Sequence, residues 1–378
     1  MRRERAEPRT GWPQIIEAQG LAYHRTSHPE NLTRPYWDES VHYTFEMDEV
    51  LRLEETVEEL HRMCMEAAAY IVTSGRYELL GIPPHLVPAI EASWNRRDPH
   101  LSGRFDLRYD GAGPPKLLEY NADTPTSLVE SSIIQWYWKE DLFPSDDQWN
   151  SLHERLVDRW KSLPLRDGPV HFAWTEDDES GEEFMTVAYM KEVAEQAGRL
   201  GVGITMQDIG WDGHDFRDNG RNEIKTLWKL YPWEWIVAEE FGAHIDETDW
   251  VEPMWKMLLS NKGLLVALWE LFPGHPNLLR AYLDTPGNMK SYIRKPLLGR
   301  EGASMEIVTP GLRHATEGRY GAEGFVFQEF QALPDFDGQH PVIGAWVVGE
   351  ESAGIGIRET SGLITDDTSS FVPHRIPL

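Results

Sequence analysis

The run RFDLRYDGAGPPKLLEYNADTPTS, residues 104–127, constrains this chain more than any other stretch. In RFDLRYD, Phe105, Leu107 and Tyr109 alternate with Arg104, Asp106 and Arg108, the period-two pattern of a half-buried strand. GAGPP supplies a turn, since its glycines relax the backbone and its prolines withdraw ladder donors. The return strand KLLEYNA sets Glu119 and Asn121 two residues apart, hence on one face of the sheet. In the hairpin register Asp106 faces them.

Two carboxylates and an amide oxygen converging on one face form a hard-oxygen cluster. Asp106, Glu119 and Asn121 therefore suit Mg²⁺ held partly by the protein and partly by nucleotide phosphates. A solvated polar face with chance carboxylates is the alternative reading. NADTPTS then leads into the apolar run LVESSIIQWYW, so Thr124, Thr126 or Ser127 is placed to cap a helix over about 128–139. Such a helix start, with spare N–H groups and hydroxyls, binds a carboxylate well.

With 378 residues the chain can bury a large core, in two or three packed subdomains. It has no run of about 18 apolar residues, and MRRERAEPRTGWPQ lacks a signal peptide's apolar centre, so a cytoplasmic protein with no membrane contact is expected. The single cysteine, Cys64, lies between Met63 and Met65 in a helical run; it excludes an intramolecular disulfide and reads as a core residue. A net charge of −27 repels nucleic acid and is compatible with a cationic substrate such as a polyamine.

Residues 1–42, rich in Pro and Arg, read as an irregular surface wrap. Residues 43–164 carry a long amphipathic helix (FEMDEVLRLEETVEELHRMCMEAAAYIV), three shorter helices and the hairpin. Over residues 165–250, GPVHFAWTEDD, EEFMTVAYMKEVAEQAG and VGITMQDI read as strand, helix and strand, a βαβ unit that places ligands at the carboxyl ends of its strands. Glu182 and Glu183 stand at such an end, either as ordinary helix-start acids or as partners of a substrate amine.

In residues 251–378, VEPMWKMLLSNKGLLVALWELFPGHPNLLRAY reads as helical, with Lys262 at the start of an apolar helix where an anion can be met. SYIRKPLLGREGASMEIV is a strand bearing Lys295, then a glycine-containing turn with Arg300 and Gly302, then a strand. Lys295 and Arg300 can neutralise phosphate, although an ordinary basic hairpin turn has the same composition. FVFQEFQALPDF is a strand whose Gln328 and Glu329 fall where an adenine hinge belongs.

Together, the RFD strand, LEYNADTPTSLVE, LLSNKGLLVALWELFPGHPNLL, KPLLGREGAS and AGIGIRET resemble the synthetase domain of the glutathionylspermidine synthase family, from about Tyr43 onward. The resemblance implies an ATP-grasp fold with mixed α/β sheets, and an ATP- and Mg²⁺-dependent ligase joining a peptide acid such as glutathione to an amine through an acyl phosphate. It implies Mg²⁺ on Asp106, Glu119 and Asn121, and ATP phosphates on Lys262 and Lys295. Arg300 matches the arginine of the glycine-containing loop. Arg104 and Arg358 match arginines near the transferred phosphoryl and the carboxylate, while Thr124, Thr126 and Ser127 match the peptide loop. The metal ligands precede the lysines, which a circular permutation explains. Bifunctional members carry an amidase with a catalytic cysteine, which is not expected here. Leu230 stands where the full synthase has a hydroxyl residue, so the amine and acid remain open. The competing readings are a nucleotide-binding regulatory protein without turnover, and an ATP-grasp kinase or peptide-tailoring ligase.

Overall fold

Asp106 lies directly opposite Glu119, and Arg104 opposite Asn121, in an antiparallel hairpin of Ser102–Arg108 and Lys116–Asn121. The computed structural model describes residues 1–24, 34–178 and 180–378, leaving aside the side chains of residues 246 and 247. The hairpin is not a free ribbon. His340–Val348 pairs with its first strand, and Glu351–Thr360 and Ser370–Val372 follow, making one five-stranded antiparallel sheet. One face, with Phe105 and Leu107, packs into the core under the helix Met47–Ser74. On the other face Arg104 and Asp106 are each only 5% exposed, while Glu119 and Asn121 are half-buried.

A second antiparallel sheet runs Ala281–Leu283, Phe325–Glu329, Tyr292–Pro296, Glu306–Thr309 and Leu312–Ala315. The turn carrying Arg300 and Gly302 joins two of its strands, as the glycines suggested. A third, parallel sheet orders Asp249–Val251, Thr226–Lys229, Val170–Trp174 and Gly201–Thr205, with the helix Glu182–Gln196 forming the βαβ crossover.

The long helix starts with a capping box between Glu46 and Glu49 and stops at Gly75, whose φ of 70° only glycine adopts freely. Its buried stripe of Val50, Leu53, Val57, Leu60, Cys64 and Ile71 joins the main core; each large apolar side chain there contributes about 1.5–3 kcal/mol.

Three expectations are corrected. The described part of residues 1–42 is not an irregular wrap throughout: Arg2–Arg5 pairs with Val41–Thr44, which pairs in parallel with His374–Arg375, and Trp12–Ala18 is a helix. Buried ion pairs explain the order, for Arg3 and Arg34 both meet Glu359 of the C-terminal hairpin. Residues 251–282, read as helix-like up to a proline-broken loop, divide into a 3₁₀ turn Met254–Leu258 and a helix Leu264–Leu271, and Ala281–Leu283 is a strand, because Pro253, Gly263 and Pro273 interrupt the apolar periodicity. A side chain on Gly263 would sit 2.0 Å from the Leu79 carbonyl oxygen. The helix after the polar loop contains a wide π turn, Glu130–Ile134, before Gln135–Leu142; the Ser127 carbonyl rather than a hydroxyl begins it, accepting from the Ser131 N–H and hydroxyl. Among the described residues, no helix is long and apolar enough to cross a membrane.

Candidate active site

Both five-stranded sheets wall one open cleft of about 1110 Å³. The hairpin sheet contributes Arg104, Asp106, Glu119, Asn121 and Arg358, and the second sheet Ile293, Lys295, Gln328 and Glu329. Thr124 and Thr126 come from the loop after the hairpin, and Arg300 and Gly302 from the glycine-containing turn. Lys262 lies in a small adjoining cavity that shares Glu119, Asn121, Thr124 and Arg300 with the cleft.

Asp106 is the electrostatic hinge of one wall. Its Oδ1 accepts from Arg104 Nε at 2.9 Å and its Oδ2 from Arg358 at 2.8 Å, while Arg104 also reaches the Thr126 carbonyl. The remaining side of Arg104 passes over Gly344, which pairs with Asp106 across the sheet; a methyl there would stand 2.9 Å from Arg104 Cδ. Glycine is thus what lets this guanidinium lie flat.

On the facing wall, Lys295 donates to the Leu118 carbonyl at 2.9 Å and to Gln328 Oε1 at 2.8 Å. Gln328 is fully buried and donates in turn to the Leu117 carbonyl, so its side chain aims Lys295 rather than a nucleobase. Glu329 is ion-paired with Arg280 at 2.8 Å. Phe330, Leu333, Ile293 and Leu279 supply apolar lining beside them.

Burial lowers the Lys295 ammonium to about 8, despite Glu119 and Asp106 nearby. For Glu119 burial acts the other way, yet Lys262, 3.1 Å distant, and Lys295 outweigh it and hold the carboxyl at about 2. Lys262 also donates to the Gly299 carbonyl. Asn121 turns its amide nitrogen toward Glu119 at 3.2 Å. Two carboxylates and an amide on one sheet face are the donor chemistry a hard divalent cation takes, so the residues fit Mg²⁺.

Gly302 has φ 69°, and a Cβ would stand 2.8 Å from the Thr365 carbonyl oxygen, which explains a glycine where the turn closes on the C-terminal segment. Arg300 donates to Thr124 Oγ1 at 3.1 Å and to Glu234 at 2.9 Å. Ser127 does not line the cleft; it is buried, 3.4 Å from the Tyr36 hydroxyl. Glu183 ties its helix start back to the end of the preceding strand, accepting from the Thr175 N–H and hydroxyl. Glu182 is half-buried, and burial, with the charges of Glu130 and Glu301, pushes its carboxyl up to about 8. Leu230 is buried in an apolar cluster with Trp228 and Val251.

Sequence reasoning missed several groups. Asp123 forms a buried ion pair with Lys229 and accepts from the Trp233 N–H at 2.9 Å, tying the polar loop to the parallel sheet. Glu130 accepts from Tyr23 and Tyr36, behind Ser127. The signal was present in each case: a lone charge inside the apolar runs LWKLY and LVESSII marks a buried partner.

The sequence profile of the glutathionylspermidine synthase preATP-grasp family matches residues 3–377, and the chain belongs to that family. A Haemophilus influenzae protein provisionally named an acid–amine ligase is 40% identical over 358 residues, 90% of each chain. The trypanothione synthetase of Crithidia fasciculata is 30% identical over 358 residues, 85% of this chain but only 54% of that protein's length. The apo structure of a glutathione synthetase-like effector, GSS30 of Globodera pallida, aligns over 96% of this chain and 97% of its own with a TM-score of 0.58 at 11% identity, which speaks for the fold alone. By this kinship the chain is an enzyme of the acid–amine ligase class.

Proposed function

We propose that the cleft binds ATP and Mg²⁺ and joins a peptide acid, such as glutathione, to a polyamine or another amine. The observation that carries this reading is the opposition, within one cleft, of Asp106, Glu119 and Asn121 to the two lysines Lys262 and Lys295. Asp106, Glu119 and Asn121 would hold Mg²⁺, which when bound offsets charge on the phosphates. Lys262, Lys295 and Arg300 take phosphate oxygens, and the segment after Gln328 takes the adenine. Arg104 and Arg358, held side by side by Asp106, orient the carboxylate, with Thr124 and Thr126 along the peptide. A carboxylate oxygen attacks the γ-phosphorus as the bond to ADP breaks. The amine nitrogen then attacks the acyl carbon, phosphate leaves with the C–O bond, and the nitrogen loses its proton. Glu182, beside Arg358, Glu301 and Glu130, meets a substrate ammonium; Glu183 is engaged with Thr175 at the end of the preceding strand.

The metal carboxylates precede the lysines in the chain, the order of a circularly permuted ATP-grasp, and the βαβ sheet is the substrate subdomain. An ATP-using enzyme with a single buried thiol fits the cytoplasm. The intact set of charged groups favours turnover over a purely regulatory protein. Incubation with Mg²⁺, ATP and pools of acids and amines tests the reading. Amine-dependent release of ADP and phosphate is expected; ADP without free phosphate would instead indicate a kinase, and tight ATP binding without turnover a regulatory protein.

A further inference from the structure

We propose that the buried pair Lys229 and Asp123 is a positioning device of the ligase: it sets the loop after Asn121 so that Thr124 and Thr126 face the acid substrate and Arg300 is held beside them. The inference rests on the ligase reading above and adds to it two residues that do not line the nucleotide cleft.

Residues 122–124 of this loop are held from three directions. Ala122 donates its N–H to Ser260 Oγ at 2.9 Å, and its carbonyl accepts from Lys256 Nζ at 3.2 Å. Asp123 accepts from Lys229 Nζ at 2.5 Å through one oxygen and from the Trp233 N–H at 2.9 Å through the other. Thr124 Oγ1 accepts from Arg300, which also donates to Glu234, the residue after Trp233. Asp123, Thr124, Arg300, Glu234 and Trp233 therefore close a ring, and Lys229 anchors it to the end of the strand Thr226–Lys229. A displaced Asp123 carries Thr124 and Arg300 with it on one side and Asn121 on the other.

Stability alone does not account for these charges. Lys229 is 1% exposed and Asp123 4%, and a second buried pair, Lys256 and Glu252 at 3.3 Å, lies within electrostatic reach of Asp123. Taking such groups out of water costs about as much as their attraction returns, and apolar side chains of similar size often hold two elements together as firmly. An apolar contact tolerates sliding, whereas a carboxylate bonded through both oxygens fixes one register. Lys229 Nζ also lies 4.9 Å from the Trp233 ring centroid, so the same cation steadies the start of the helix Trp233–Ile236, which bears Glu234.

The test replaces both charges at once, Asp123→Asn with Lys229→Met, so that neither is left buried alone, and reads the folded double variant in two ways. Hydrogen exchange followed by mass spectrometry should quicken at least about tenfold in residues 121–127 and stay unaltered in the strand Tyr292–Pro296. With an acid and amine that support turnover, kcat/KM for the acid should fall at least about 30-fold, the scale of a misplaced reactant. Calorimetric affinity for a non-hydrolysable ATP analogue with Mg²⁺, held by Lys262 and Lys295, should stay within about fivefold. A merely structural pair would lower the melting temperature and leave exchange and kcat/KM of the folded protein as they are. That result, or an equal loss of affinity for the analogue, would overturn the proposal. If the double variant does not fold, Asp123→Asn alone is read in the same way, and failure of both to fold would make the pair structural and overturn the proposal. Wild-type turnover is scored separately: its absence refutes the ligase reading, and exchange alone then decides whether the pair holds the loop.

Discussion

Lys295→Met offers the sharpest probe of the cleft. Burial holds the Lys295 ammonium near 8, about two and a half units below an ordinary lysine, so the free enzyme loses this charge within an accessible pH range. The protonated form is the one that attracts phosphate. Nucleotide affinity should therefore be flat below pH 8 and fall about tenfold, or about 1.4 kcal/mol, for each unit above it, until the pKa of the nucleotide-bound lysine is passed. At pH 7.5, removing a charge-assisted phosphate contact of about 1.5–3 kcal/mol should weaken binding about 10- to 150-fold. The variant also strips the donor from the Leu118 carbonyl and Gln328 Oε1, each costing about 1–3 kcal/mol if left unpaired, so its melting point is measured first. Calorimetric titration with the Mg²⁺–ATP analogue between pH 7.5 and 9.5 supplies the assay. Glu182 gains negative charge in the same window, so Glu182→Gln is titrated alongside. The break near pH 8 should survive in Glu182→Gln and vanish in Lys295→Met. Affinity within threefold of wild type, or a break that persists in Lys295→Met, would refute the placement of this lysine on phosphate.

Asp106→Asn and Glu119→Gln should each cut Mg²⁺-dependent turnover by at least about a hundredfold. Asp106→Asn should also lower the melting temperature, because it leaves Arg104 and Arg358 without their shared counter-charge; equal melting with lost activity would separate metal binding from arginine orientation. Gly344→Ala should cost about 1–3 kcal/mol of stability by overpacking against Arg104 and reduce kcat with little effect on the affinity for ATP. An unaltered kcat would show that Arg104 need not lie flat. Cys64 is fully buried and its thiol is pushed up by burial, so it should resist a thiol reagent until the chain is denatured.

The hairpin was legible because period-two alternation fixes faces, whereas the register that sets Asp106 opposite Glu119 and Arg104 opposite Asn121 is a property of the folded ladder. The βαβ unit was legible for the same kind of reason, since its apolar strands and its helix differ in period. The alternation did not show what lies over each face of the hairpin, the helix Met47–Ser74 on one and, across the cleft, Ile293, Lys295 and Gln328 of the second sheet on the other. The N-terminal strand was illegible likewise: RRER carries no apolar pattern, and it is held by pairing with Val41–Thr44 and by Glu359 near the other end of the chain. At the site, Arg104, Lys295 and Arg358 line one cleft, but partner choice did not follow from residue type. Gln328 aims a lysine, Glu183 holds Thr175 at a strand end, and Glu234 restrains Arg300 through contacts that only the folded chain brings together.

The central claim is that the carboxylate takes the γ-phosphoryl group before the amine attacks. It is tested most directly by supplying an acid substrate that supports turnover, with both carboxylate oxygens labelled with ¹⁸O, and weighing the released phosphate by mass spectrometry. One labelled oxygen in each phosphate, with ADP formed in equal amount, is the predicted result. Unlabelled phosphate, or AMP and pyrophosphate in place of ADP, would contradict it.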